Sequence, residues 1–473
     1  MTQYEKIDEQ LSAWIDAHTE EIVETTRALL RIPSVKGEPA EGAPFGVETR
    51  KALDFALGYA ESQGLTIKHL EGYAGHAEWR APGVAEDAPI VGVLAHVDVV
   101  PAGDGWRHPP FLAEMDNGVI YARGAADDKG PAMAGLFGVL AAHAVGAPAT
   151  HRVRVILGAD EESGFGCVKY YFEHEEMPAT GFTPDAAFPI VYAEKGIANF
   201  IVSKELSRPS SGLILESLSG GMRSNMVPDS AEAVVTGSQT DLANAASTLL
   251  PLSDVNADHQ GDRLIIKAVG ISAHGSTPEE GRNAVAVLAK ALLTIDGWNA
   301  SVREAVETVE RWGADTTGGT LGVAGADDVA GPLTSNLGVV TFQDGKLTLT
   351  FNFRYPVTWD LDTVKTKIAP TLAESGFALD EIHNQAPIYI PTDDPLVATL
   401  IGVYQAETGD MSPPLTMGGG TYARAMKKGV AFGPGFPGYA TGIHQSDERW
   451  PVEHLINSAK IYAKAIVRLA NGQ

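Results

Sequence analysis

Apolar positions recur at helical spacing over residues 5–31 (Leu11, Trp14, Ile15, Ile22, Val23, Leu29, Leu30), and Pro33 sets an end to that helix. A second amphipathic helix is predicted over 47–63, closed by Gly64, with short alternating strands over 65–70 and 75–80. The run Val91-Gly-Val-Leu-Ala-His96 is different. It has no polar face, so it reads as a strand covered on both sides, in a sheet flanked by helices. A helix over 130–145 follows, with Pro131 suited to its first turn. Next comes a strand over 151–158 that runs into Ala159-Asp160-Glu161-Glu162-Ser163-Gly164.

The pattern changes near residue 195. Strands at 199–204, 230–236, 263–269, 336–343 and 346–353 alternate with helices near 241–250, 283–296 and 360–374, an α+β style. After Pro387 the earlier style returns: a helix over 395–407, Gly418-Gly-Gly420, a short strand over 429–432 and a closing helix over 452–470. The organisation expected is one α/β domain built from residues 1–194 and 387–473. Residues 195–386 interrupt it as an inserted α+β domain, with room for two similar subdomains.

With 473 residues, 44% of them hydrophobic and 20% charged, the chain is long enough for more than one core and ordinary for a globular protein. Its 35 basic and 60 acidic residues give a net charge of −25, which argues against nucleic acid or an anionic membrane as partner. No apolar run approaches membrane-spanning length, and the first residues lack a basic segment followed by an apolar core. The single cysteine, Cys167, allows no internal disulfide and reads as a buried structural thiol rather than a nucleophile. A cytoplasmic location is the expectation from these features.

Candidate chemistry collects where strands meet loops. His96 and Asp98 leave the same side of an extended chain, so the carboxylate can support the imidazole, as in a metal site or in a satisfied core pair. Asp127-Asp128 precedes a helix and could be no more than its cap. Glu161-Glu162 ends a buried strand, where two adjacent carboxylates need a cation, a proton or open solvent. Asp185 follows Pro184 and His444 lies in a late loop, and alone neither would stand out. Together, His96, Asp127, Glu162, Asp185 and His444 fit two divalent metal ions sharing a carboxylate and a water, with zinc expected and manganese or cobalt allowed. Glu161 is then left over to act as general base.

The order His96-Val-Asp98-Val-Val-Pro101, Arg123-Gly-Ala-Ala-Asp127-Asp-Lys-Gly130, Glu161-Glu162-Ser-Gly164, Pro184-Asp185 and His444 resembles the co-catalytic zinc metallopeptidases. That family includes carnosinase, aminoacylase, glutamate carboxypeptidase and succinyl-diaminopimelate desuccinylase. The match is strongest with bacterial dipeptidases of the PepV type. The resemblance implies a mixed central sheet covered by helices, with the insertion as a lid domain. It implies one metal on His96, Asp127 and Asp185 and the other on Asp127, Glu162 and His444. It also implies a cis Asp127–Asp128 peptide, catalytic roles for Glu161 and for Asp98 in support of His96, and attack by a metal-bridging water.

Ile271-Ser-Ala-His274 matches the family's oxyanion-stabilising histidine, and Asn225 and Arg354 match substrate-binding positions, Arg354 being suited to a C-terminal carboxylate. The triplet Gly418-Gly419-Gly420 is expected to precede a helix, where the backbone N–H groups of Gly419 and Gly420 could hold the same carboxylate. The implied substrates are unblocked dipeptides. N-acyl amino acids, or the C-termini of longer peptides, are the alternative under the same chemistry. The long insertion implies a monomer. Two departures stand out: Ala122 replaces a glycine common before Arg-Gly, and Asp447 stands where related dipeptidases often carry asparagine.

Overall fold

The central strand of the computed structural model is Ile90–His96, all seven residues of which are buried. The structure describes residues 3–207 and 211–472. Arg152–Gly158 and Thr180–Thr183 flank the central strand, both parallel to it. Outward on one side lie Ala74–Trp79 and then Thr66–Leu70, each antiparallel to its neighbour. On the other side Gly429–Ala431 pairs parallel with Thr180–Thr183, and Val191–Glu194 closes antiparallel upon it. The sheet is therefore mixed, with its three central strands parallel and wholly or largely buried, as the unbroken apolar run at 91–95 requires.

The helix Lys129–Ala144 lies against this sheet and is buried on every side from Lys129 to Ala142. Its glycines are points of contact rather than flexibility. A methyl group added at Gly138 would sit 2.9 Å from the backbone nitrogen of Ala463, on the helix Val452–Leu469. Similarly, Gly181 lets two strands meet, since a Cβ there would lie 2.1 Å from the carbonyl oxygen of Gly92.

The chain divides into two compact units. The first comprises residues 1–192, 390–415 and 421–473, and the second comprises 193–389 and 416–420. The second unit has its own core and an eight-stranded, wholly antiparallel sheet. Its strands run in the order Val255–Gln260, Arg263–Val269, Ser230–Thr236, Ile214–Gly220, Thr334–Gln343, Lys346–Tyr355, Gly196–Glu205 and Ala378–Gln385. The helices Gln239–Leu249, Ala284–Leu292, Ala300–Ala314 and Leu361–Glu374 bury their apolar sides in that core. The fold is thus an α/β unit with a mixed, helix-covered sheet, interrupted by an inserted α+β unit.

Several elements differ from the sequence reading. The long first helix is two, Gln3–Ala17 and Thr19–Leu30, separated at His18. The glycine triplet is followed by a four-residue 3-10 turn, Tyr422–Ala425, instead of an α-helix. A helix N-terminus therefore supplies no anion site there, because the aligned peptide dipoles that favour anions are too few. Among the described residues no helix is long and apolar enough to cross a membrane.

Candidate metal centre

His96 ends the central strand, and its surroundings fix both ring nitrogens. Its Nδ1 lies 3.0 Å from the backbone carbonyl of Asp98. A carbonyl only accepts, so Nδ1 carries a proton and Nε2 is the nitrogen left to face a metal. The Asp98 carboxylate is farther from Nδ1, at 3.5 Å, and is engaged elsewhere. It accepts the backbone N–H of Glu161 at 3.0 Å and of Glu162 at 3.1 Å. Asp98 therefore supports His96 through its main chain and the Glu161–Glu162 turn through its side chain.

Asp127 stands between the two histidines. Its Oδ1 lies 3.2 Å from His96 Nε2, and its Oδ2 lies 2.9 Å from His444 Nε2. His444 Nε2 is also 3.4 Å from Glu162 Oε2. Single ligand atoms of His96, Asp127 and Glu162 fall within 4.8 Å of one another, and so do those of His96, Glu161 and Asp185. The Asp127–Asp128 peptide is cis, the geometry the resemblance implies. Asp128 occupies the cap position of the helix Lys129–Ala144, but its side chain caps nothing. Instead its Oδ2 accepts the backbone N–H of His96 at 3.1 Å.

The charge balance of this cluster suits cations. Burial, reinforced by Asp185, Glu162 and Asp127, holds the Glu161 carboxyl well above its usual range although His96 opposes the rise, and burial with Asp127 also raises Glu162. Asp127 and Glu162 draw His444 up to about 11. Burial works against a charged His96, yet Asp127 and Asp98 hold its pKa well above the ordinary value. Four carboxylates thus crowd two imidazoles. The buried Nε2 of His96 and Oε1 of Glu162 make no hydrogen bond in hydrogen-bond geometry. Buried polar atoms without partners are costly, and nitrogen and carboxylate oxygen are the donors zinc-type ions take. The residues fit divalent metal.

Three neighbours with no signal of their own in the sequence hold the cluster in place. Glu448, fully buried, accepts Arg123 Nη1 at 2.6 Å and the backbone N–H groups of Gly124, Ala126 and Asp127 at 3.2, 3.0 and 3.2 Å. It ties the His444 loop to the Asp127 loop, and burial raises its own pKa to about 7. Lys129 is buried and donates to the carbonyls of Ile32 and Leu29, at the end of the helix Thr19–Leu30. Tyr422 sets its ring edge-on to His96 and places its hydroxyl 2.6 Å from Cys167 Sγ. Burial pushes the Cys167 thiol up to about 12, so it stays protonated, a structural thiol in keeping with the sequence reading. Asp447 binds the backbone N–H groups of Arg107 and His108 and the Arg107 Nε, at 2.8, 3.1 and 2.7 Å.

The remaining candidates belong to the second unit. His274 is exposed, with Nδ1 2.6 Å from Ser276 Oγ. The carbonyl of Asn225 accepts the N–H of Gly275 at 2.7 Å, which brings the Asn225 and His274 loops together. Arg354 is 3% exposed and donates from Nη1 to the Gly418 carbonyl at 2.8 Å. Gly419 and Gly420, half-buried, follow in the 416–420 segment, which packs with this unit.

An imidazole–carboxylate cluster at the ends of parallel strands is suited to holding metal in a hydrolytic enzyme. The chain belongs to peptidase family M20/M25/M40, whose model matches residues 92–468. It is 40% identical over 459 residues to the "Putative dipeptidase YtjP" of Bacillus subtilis, covering 95% of this chain and 97% of that one. A "Putative dipeptidase" of Staphylococcus epidermidis is 36% identical over 460 residues, covering 95% and 97%. Solved structures of human carnosine dipeptidase 1 (TM-score 0.56, 16% identity, 99% of each chain) and of the Saccharomyces cerevisiae di-peptidase Dug1p (TM-score 0.57, 14%, 98% of each) share the fold.

Proposed function

We propose that this chain is a dipeptidase that uses two divalent metal ions, zinc by preference, to hydrolyse unblocked dipeptides. The observation that carries the reading is Asp127, whose two oxygens each face a different imidazole, with Glu162 beside it and with Glu161 and Asp185 grouped about the same His96. His96, Asp127 and Asp185 would hold one ion, and Asp127, Glu162 and His444 the other. Bound there, such ions acidify a water molecule and polarise the scissile carbonyl.

Glu161 takes the proton of the attacking water and returns it to the departing amine. Burial, with Asp185 and Glu162 beside it, shifts its pKa upward, the direction that favours a carboxylate able to accept a proton. Asp98 holds the Glu161 main chain in place for the transfer. Among the second unit's residues, Arg354 and Asn225, with Gly419 and Gly420, bind the substrate, and His274 donates to the developing oxyanion. These roles rest on the motif match and on the family. The acidic chain works as a monomer in the cytoplasm.

The test is turnover of a dipeptide panel by protein reconstituted with defined metal, alongside N-acyl amino acids and longer peptides. Free dipeptides should be cleaved, chelation should abolish cleavage and added zinc should restore it. Turnover confined to acylated amino acids or longer peptides would replace the dipeptide reading with that of a deacylase or carboxypeptidase. Glu161→Gln should lose at least about a hundredfold in kcat while binding metal as before, the usual scale for a general base. Retained turnover would remove Glu161 from its role.

A further inference from the structure

Three asparagines stand in one row across the second unit's sheet. In the strand register Asn199 pairs with Asn352, and Asn352 pairs with Asn336, so the three occupy adjacent strands at one level. Asn352 and Asn336 are 1% and 2% exposed, an unusual placement for amides unless each is satisfied. Each is. Asn352 Nδ2 donates to Asn199 Oδ1 at 2.7 Å, and Asn352 Oδ1 accepts Arg354 Nε at 2.8 Å. That arrangement fixes which way the amide points, because only the oxygen can serve the guanidinium. Arg354 continues the chain of contacts to the Gly418 carbonyl at 2.8 Å.

At the other end of the row, Asn336 Nδ2 donates to the carbonyls of Ser224 and Met226, at 2.8 and 2.9 Å. Those residues bracket Asn225. The approach is possible because Gly338 stands at a bulge, where a Cβ would lie 2.3 Å from the Ser224 carbonyl. A single rung of amides therefore bears on Arg354 and the glycine triplet at one end and on the Asn225 loop at the other.

We propose that Asn352, supported by Asn199 and extended by Asn336, is a positioning residue that sets the plane and net charge of the Arg354 subsite for a substrate's terminal carboxylate. The inference rests on the dipeptidase reading above. The physical point is that the row is neutral. A carboxylate in the place of Asn352 would serve Arg354 equally well as an acceptor, and Asn199 could turn its amide to donate to it. It would nevertheless cancel the guanidinium charge in a buried setting, where little solvent screens it. The amide fixes the geometry of Arg354 and adds no opposing charge of its own to the subsite.

The experiment compares Asn352→Asp with wild type on a dipeptide and on the same dipeptide with its C-terminus amidated, after reconstitution with zinc. Folding is checked by circular dichroism and metal content. Asn352→Asp should raise KM for the free-acid dipeptide about tenfold or more, the scale of one charge-assisted contact. Its kcat should stay within about twofold, and KM for the amide should not move. If Asn352→Asp does not fold, Asn199→Asp, at a half-buried position one amide removed, should shift the free-acid KM in the same direction by less. Equal KM changes for both substrates, or a loss confined to kcat, would reduce the row to a structural feature and overturn the proposal. A wild type that turns over neither substrate nor any acylated amino acid would overturn the dipeptidase reading, and the proposal with it.

Discussion

Asp98 shows how one side chain serves the centre through main-chain contacts. Its carboxylate takes the N–H groups of two consecutive residues, Glu161 and Glu162. Asp98→Ala should leave both without an acceptor and let the turn relax, lowering zinc affinity by about 10–100-fold, the range for losing an outer-shell partner. Competition dialysis reads this directly, and unchanged affinity would show that the turn is held by other means. The acidic and histidine positions were legible in the sequence because they fall at strand ends in a characteristic order. What Asp98 binds was not legible. Alternation placed its side chain beside His96, but the strand ends at His96 and the chain turns there. Glu448 escaped for a related reason. Nothing near it in the chain marks it, and the loop it cradles lies more than 320 residues away along the chain.

His76 makes a residue-scale prediction away from the centre. Burial, then the Arg154 charge, holds its pKa down to about 3, and its Nδ1 contacts the Tyr171 hydroxyl at 2.8 Å. The unfolded chain takes a proton near pH 6.5 while the folded chain does not. Between those values the unfolded state binds more protons, so stability present above pH 6.5 is lost as pH falls toward 3. The full window is worth on the order of 5 kcal/mol. His76→Gln should flatten this slope, measured as urea unfolding free energy on metal-free protein at pH 7 and pH 4.5. An unaltered slope would assign the acid sensitivity to other groups.

At the scale of elements, two helix glycines make opposite predictions. Replacing glycine with alanine inside a helix gains up to about 1 kcal/mol. At Gly58, in the helix Val47–Ser62, nothing lies within 4 Å of the added methyl, so Gly58→Ala should stabilise by roughly that amount. At Gly138 the methyl meets the backbone of Ala463 at 2.9 Å, which no side-chain rotation relieves. Overpacking of about 1–3 kcal/mol should outweigh the gain, and Gly138→Ala should lower the melting temperature. A stabilised Gly138→Ala would mean that the two helices slide apart at little cost.

Elements with a buried face were legible from their periodicity, as in Val452–Leu469 and Lys346–Tyr355. Strands held mainly by backbone pairing were not. Val255–Gln260 and Ala378–Gln385 are edge strands and mostly exposed, so their sequences carry no alternation to read. Ala300–Ala314 was overlooked despite a legible signal, since Val302, Val306, Val309 and Trp312 repeat at helical spacing and all are buried.

At the scale of the whole molecule, the two units have separate hydrophobic cores, and the acidic–histidine clusters suited to metal, among the described residues, all lie in the first. Metal held by the folded first unit and not by the unfolded chain would add its binding free energy to the stability of that unit alone. Free zinc at about 100 times its dissociation constant would contribute about 2.7 kcal/mol per site. For a unit of this size that is a rise of roughly 5–10 °C in melting temperature. Calorimetry should then show two transitions, because separate cores unfold as separate cooperative blocks. Chelation, which empties both sites, should lower one of them by about twice that amount and leave the other in place. Glu162→Gln should remove only part of that stabilisation in the presence of zinc, since it takes a ligand charge from one of the two sites without touching the second unit's core. A single transition that moves as a whole on chelation would show that the units unfold together, and that metal stabilises the entire chain.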